Sequence, residues 1–160
     1  MGSDKSYKYS GTMPKSQHYA KAYHVTPEMI EYDKQRGVYN GIYELNPTAQ
    51  NITKNGNSEF VISKNANDWY TYVVKLNGDI IVGKRNGNGR GGKATPHPTL
   101  VGGTDPLVQV AGMLLLKKGK ILKFNHESGH FKPNIKSMKA AKEAFSKLPA
   151  TIFHKEYKGE

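Results

Sequence analysis

The apolar positions of this 160-residue chain fall into short runs with two different spacings. Residues 1–24 are polar and rich in Tyr, Lys and Ser, which predicts a loop or a loosely docked arm. Thr26-Pro27-Glu28 predicts a helix start, with Thr26 as cap, Pro27 at the first helical position and Glu28 at the positive end of the dipole. Gly37 ends that helix early, and residues 46–58 are turn-forming throughout. Phe60-Val61-Ile62 is a short strand candidate. Trp69–Leu76 and Asp79–Val82 are strand-like runs around Asn77-Gly78, a hairpin signal for a type I′ turn with positive φ at both central residues. Met113–Leu116 and Ile121–Phe124 flank Lys117–Lys120 and predict a second hairpin with Gly119 in its turn. Asn134 caps a predicted helix running to about Leu148, where Pro149 ends it. Ile135, Met138, Ala141, Phe145 and Leu148 form its apolar stripe, with Lys136, Lys139 and Lys142 off it.

These elements predict an α+β fold. A mostly antiparallel sheet of four to six strands carries a C-terminal helix packed on it, with a short N-terminal helix. The length fits one domain. Within it, residues 1–58 read as an N-terminal arm with a short helix, of an entry or linker character, and residues 59–160 as the main unit. No internal repeat is visible.

Charge changes the picture more than composition does. The formal net charge is +11, and the segment from Ile80 to Lys142 holds 12 basic residues against two acids, Asp105 and Glu127, so +10 lies there. A field of one sign steers polyanions toward it. Nucleic acid, an acidic protein or a phosphate-bearing cofactor are the candidate partners, beside the plainer reading of a solvated lysine surface. The chain has no cysteine, which excludes a disulfide scaffold, a thiolate zinc finger and a Cys nucleophile. Runs such as Val110–Leu116 are too short to cross a bilayer, and no basic amphipathic helix with large aromatics suggests membrane binding. The opening residues show no secretory signal, and the expectation is a domain from a longer parent protein.

Three constellations carry candidate chemistry. Residues 84–95 place Gly87, Gly89, Gly91 and Gly92 among Lys84, Arg85, Arg90 and Lys93. Glycines let backbone N–H groups approach a phosphate, although the spacing matches neither a P-loop nor a dinucleotide fingerprint, and a non-binding loop is the alternative. His126-Glu127-Ser128-Gly129-His130 has the letters of a zinc-protease motif, but Gly129 and Pro133 disfavour the helix that this chemistry needs. His97 and His130 each sit in a turn-like context near cations. Two imidazoles and a cation can cleave RNA without metal: one takes the 2′-OH proton, the other protonates the leaving oxygen, and the cation stabilises the phosphorane. Two surface histidines near basic loops would look the same. Trp69, Tyr70 and Tyr72 lie on an alternating strand, where core packing is the simpler reading than a base-stacking platform.

His97-Pro98-Thr99-Leu100-Val101-Gly102-Gly103, Val110-Ala111-Gly112, the Lys118-Gly119-Lys120 hairpin and Ser128-Gly129-His130-Phe131-Lys132-Pro133 together resemble a C-terminal module of bacterial polymorphic toxins. These are the variable tips of Rhs-type and contact-dependent inhibition proteins. A similar Ser-Gly-His-Tyr-x-Pro segment occurs in plant IQ-motif calmodulin-binding proteins; this chain has Phe131 where that pattern has Tyr. The resemblance spans about residues 70–150. It implies a toxin catalytic domain over 59–160, secreted within a larger effector, acting in the target-cell cytoplasm and neutralised by a cognate acidic immunity protein.

The expectation that joins these readings is a monomeric, cofactor-independent ribonuclease acting on tRNA or rRNA. His97 and His130 serve as acid and base, assisted by Thr99 and Lys132, while Lys84, Arg85, Arg90, Lys93 and Ser128 bind phosphate. The rivals are an ADP-ribosyltransferase using NAD, with His97 and Thr99 on the nicotinamide ribose and Glu127 orienting the acceptor; a basic binding module without catalysis; and a zinc hydrolase built on His126, Glu127 and His130.

Overall fold

Trp69-Tyr70-Thr71-Tyr72-Val73-Val74 is an unbroken run of aromatic and β-branched side chains, which suits a pleated surface packed on both faces. It forms the centre of the sheet. In the computed structural model, which describes residues 21–55 and 66–158, the strands are β1 (Gln50–Asn51), β2 (Asp68–Lys75), β3 (Ile80–Gly83), β4 (Val108–Lys117) and β5 (Lys120–Phe124). They pair antiparallel in the order β1-β3-β2-β4-β5. The α-helices are α1 (Pro27–Gln35), α2 (Ile52–Asn55) and α3 (Met138–Phe145). The protein is therefore α+β, with one open five-stranded sheet, a C-terminal helix and a short helix near the N-terminus, as the sequence predicts. No helix among the described residues is long and apolar enough to cross a membrane.

Strand alternation divides the core in two. Tyr70, Tyr72 and Val74 of β2 join Leu114 and Leu116 of β4 beneath α3. The Phe145 ring stacks on Phe124 at 4.3 Å and meets Tyr72 edge-on at 5.3 Å. Emptying the Phe145 site would cost about 3–5 kcal/mol. Val73, Ile81 and Ala111 point to the opposite face, where Val25, Val38, Tyr43, Leu100 and Phe131 cover them. The histidine-bearing segments lie on this second face.

The type I′ turn predicted at Asn77-Gly78 is found in the second hairpin instead. At Asn77-Gly78 only Gly78 has positive φ (91°), and Gly78 N–H bonds the Lys75 carbonyl at 2.9 Å. That is the pattern of a type I turn followed by a left-handed glycine, not type I′. Lys118 (φ 53°) and Gly119 (φ 76°) supply the two positive angles of a type I′ turn instead. In the C-terminal helix Asn134 caps as expected, its Oδ1 accepting from Lys136 N at 2.9 Å. The first turn is a 3-10 helix over Ile135–Ser137, and its tighter winding rotates Ile135 off the apolar stripe, leaving it 70% exposed.

At α1, Pro27 begins the helix, but Thr26 makes no side-chain cap bond, and its buried hydroxyl has no partner among the described residues. The helix ends in a Schellman motif: Gly37 (φ 76°) donates to the Lys34 carbonyl, and Val38 donates to that of Asp33 at 2.8 Å. The turn-rich stretch after residue 46 holds β1 and α2. Because β1 pairs with β3 and Tyr23 bridges Val108, residues 21–55 share one core with residues 66–158. The predicted strand Phe60–Ile62 and the arm up to residue 20 lie outside the described residues.

Candidate active site

His97 opens the 3-10 turn His97–Leu100, closed by Thr99, whose hydroxyl donates to the Pro96 carbonyl at 2.6 Å. The turn buries His97 to 7% exposure against β4. Its Nε2 lies 2.8 Å from the Gly112 carbonyl oxygen. A carbonyl only accepts, so Nε2 carries the hydrogen and Nδ1 keeps a lone pair. Gly112 permits the approach of the next segment, since a Cβ there would sit 2.0 Å from the Asn125 carbonyl oxygen. Burial lowers His97 to about 4, and the charges of His130 and Arg85 act the same way, against the Gly112 hydrogen bond. The ring is neutral at physiological pH.

His130 sits in a turn closed by Lys132 N donating to the Ser128 carbonyl at 2.7 Å, with Lys132 at φ 44°. Thr26 N donates to the His130 carbonyl at 2.9 Å and ties the turn to the start of α1. The His130 Nε2–H donates to Asp33 Oδ2 at 3.0 Å, which leaves the lone pair on Nδ1. Asp33 is fully buried. It also accepts from the Tyr43 hydroxyl at 2.7 Å, and from Arg36 Nε and Nη2 at 3.0 and 2.8 Å. Burial alone would raise the Asp33 carboxyl, but hydrogen bonds from His130, Tyr43 and Arg36 outweigh it and hold the group below its ordinary range. Burial and the adjacent Asp33 carboxylate drive the Tyr43 phenol upward, so it remains a donor.

Both histidines line one cleft of about 460 Å³, together with Arg36, Arg85, Thr71, Glu127 and Ser128. A larger groove of about 1020 Å³ adjoins it and shares Arg85, Met113 and Glu127. Of the residues singled out from sequence, His97, His130, Arg85 and Ser128 meet in the cleft, and Lys84 lines the larger groove. Thr99, Lys132, Arg90 and Lys93 line neither. The Thr99 hydroxyl is spent on its own turn, Lys132 is exposed beyond the cleft, and Arg90 faces Glu44 at 3.9 Å.

The glycine loop is closed on itself. Thr95 Oγ1 accepts from Gly87 N at 2.7 Å, and a Cβ on Gly87 would meet Asn46 Oδ1 at 2.2 Å. Residues 125–134 contain no α-helix, so His126, Glu127 and His130 lack the one-turn helical spacing of a zinc-protease motif. His126 opens onto a different groove, beside Lys136 and Lys139. Among the described residues no group of three or more His, Asp or Glu is placed to hold a metal ion.

Sequence reasoning missed Asp33, Arg36, Tyr43 and Gly112. Asp33 did leave a trace: it stands at helical spacing from Met29 and Ile30, on the side of α1 that should be apolar. Phe131, in place of the Tyr of the resemblance, is 2% exposed in the core of the second face. Comparison of the chain with protein-family models, with curated proteins and with solved structures finds no match.

Proposed function

We propose that the protein is an antibacterial toxin domain that cleaves RNA by metal-independent transfer of a phosphodiester to the neighbouring 2′-hydroxyl. The observation that carries this reading is the pair of differently supported imidazoles in one cleft that Arg85 also lines. His97, neutral and fixed by the Gly112 carbonyl, takes the 2′-OH proton on Nδ1. The 2′-oxygen attacks phosphorus, and the bond to the 5′-oxygen breaks. His130, with the Asp33 carboxylate behind it to stabilise the imidazolium, delivers a proton to that leaving oxygen. Arg85 neutralises the phosphorane oxygens, while Arg36 at the same wall is held by the Asp33 carboxylate. An entering phosphate also places negative charge beside His97, which raises its basicity when it must accept a proton.

Incubation of the purified protein with total tRNA and rRNA in EDTA tests the reading. Cleavage that His97→Ala and His130→Ala each abolish is the expected result; intact RNA at high protein concentration removes it. The rival ADP-ribosyltransferase reading predicts transfer of label from NAD to protein or RNA. It is weakened by the Thr99 hydroxyl, which is turned into its own 3-10 turn.

A further inference from the structure

The larger groove beside the histidine cleft is not used by the proton transfers above. Its floor continues the same face of the sheet. Thr71 of β2 lies in the histidine cleft, and Trp69, two residues along the strand, lies in the groove about 7 Å farther on. Across the ladder Thr71 pairs with Met113, and Trp69 pairs with Leu115, which pairs in turn with Lys123. Met113 lines both hollows, so one wall runs from the imidazoles to the indole. Trp69 is 38% exposed, whereas Tyr72 is fully buried under the other face, and Tyr70, mostly buried there, also lines the groove. Lys123 Nζ stands 5.6 Å from the centre of the Trp69 ring, and Lys84 and Arg85 rise along the rim. Asp68 and Glu127 are the acids there, and Asp68 Oδ1 accepts from the backbone N–H of Trp69 at 2.7 Å.

We infer that this groove is a nucleotide subsite, in which Trp69 stacks a base next to the scissile phosphate while Lys84 and Lys123 hold the adjoining backbone. The inference rests on the ribonuclease reading for the direction in which the strand runs, and on the groove alone for what binds. An exposed indole beside cations is the combination that binds single-stranded nucleic acid without strong sequence preference. The two-residue step from Thr71 to Trp69, about 7 Å, is comparable to one nucleotide step of an extended chain.

Trp69 is the only tryptophan, so its fluorescence reports on this groove alone. The probe is a short single-stranded DNA oligonucleotide, which lacks the 2′-hydroxyl and resists the proposed cleavage. Saturable quenching, weakened by added salt, is the expected result. On an RNA oligonucleotide Trp69→Ala should raise KM about 10-fold with kcat little changed, and Trp69→Phe should restore most of the loss. An unchanged far-ultraviolet spectrum shows that the variants fold. Quenching without RNA cleavage keeps the subsite and removes the ribonuclease reading. Cleavage with no quenching, and with KM unchanged in Trp69→Ala, overturns the subsite and leaves that reading standing. Quenching by an acidic peptide but not by the oligonucleotide also overturns it, in favour of a protein partner.

Discussion

The depressed basicity of His97 has a consequence for stability that needs no substrate. The perturbation is acid, compared between the wild type and His97→Gln, whose amide N–H keeps a donor for the Gly112 carbonyl. In the unfolded chain the imidazole protonates near 6.5, and in the folded protein near 4. As pH falls below 6.5 the unfolded state takes up the proton first, so stability declines; the loss is complete only once pH has passed through about 4. Above 6.5 neither state holds the proton and the full stability remains. The whole difference corresponds to about 3 kcal/mol, and roughly 2.5 kcal/mol of it is lost by about pH 4.5. Urea unfolding from about pH 7.5 to about pH 4.5 measures it as the difference between the two proteins, which cancels the titration of the other groups. At the upper end they should agree within about 1 kcal/mol. At the lower end His97→Gln should lead by roughly 2.5 kcal/mol. Parallel curves would refute the reasoning, because His97 would then titrate alike in both states.

Further predictions concern the supports of the site and one turn. Asp33→Ala strands the Arg36 guanidinium and the Tyr43 hydroxyl, so it should destabilise the fold by about 3–5 kcal/mol in urea unfolding. Gly112→Ala drives a Cβ to 2.0 Å from the Asn125 carbonyl oxygen, and a loss of about 2 kcal/mol or more in the same assay is expected. Lys118→Gly relieves a left-handed lysine at φ 53° in the β4–β5 turn and should raise stability by about 0.5–1 kcal/mol, seen as a higher Tm.

Much of the fold was legible because it is written in local spacing. The alternation of Tyr70 and Tyr72 against Thr71 and Val73, the glycines at 78 and 119 and the cap at Asn134 each act within a few residues. Where local rules compete, the sequence misled. Asn77-Gly78 satisfies two turn types, and the stripe at Ile135 assumes a winding that the first turn does not adopt. The two-residue β1 is too short to leave a periodic signal. In the site, His97, Ser128 and His130 stood out because they occupy polar turns beside small residues. Asp33 lies 97 positions from His130, and no local pattern joins them. Only the packing of α1 on the second face brings the carboxylate behind the ring. The glycine loop misled in another way, since two of its glycines answer to close packing: Gly87 against Asn46, and Gly89 against the Lys93 carbonyl.

The central claim is that two imidazoles act together on one phosphodiester, one at its 2′-hydroxyl and one at its leaving 5′-oxygen, and the ends of the RNA fragments report on it most directly. Mass spectrometry of a short RNA cut in the presence of EDTA should show a 2′,3′-cyclic phosphate on one product and a free 5′-hydroxyl on the other. Fragments bearing 5′-phosphate and 3′-hydroxyl ends, or cutting at a site whose 2′-hydroxyl has been replaced by hydrogen, would contradict the account.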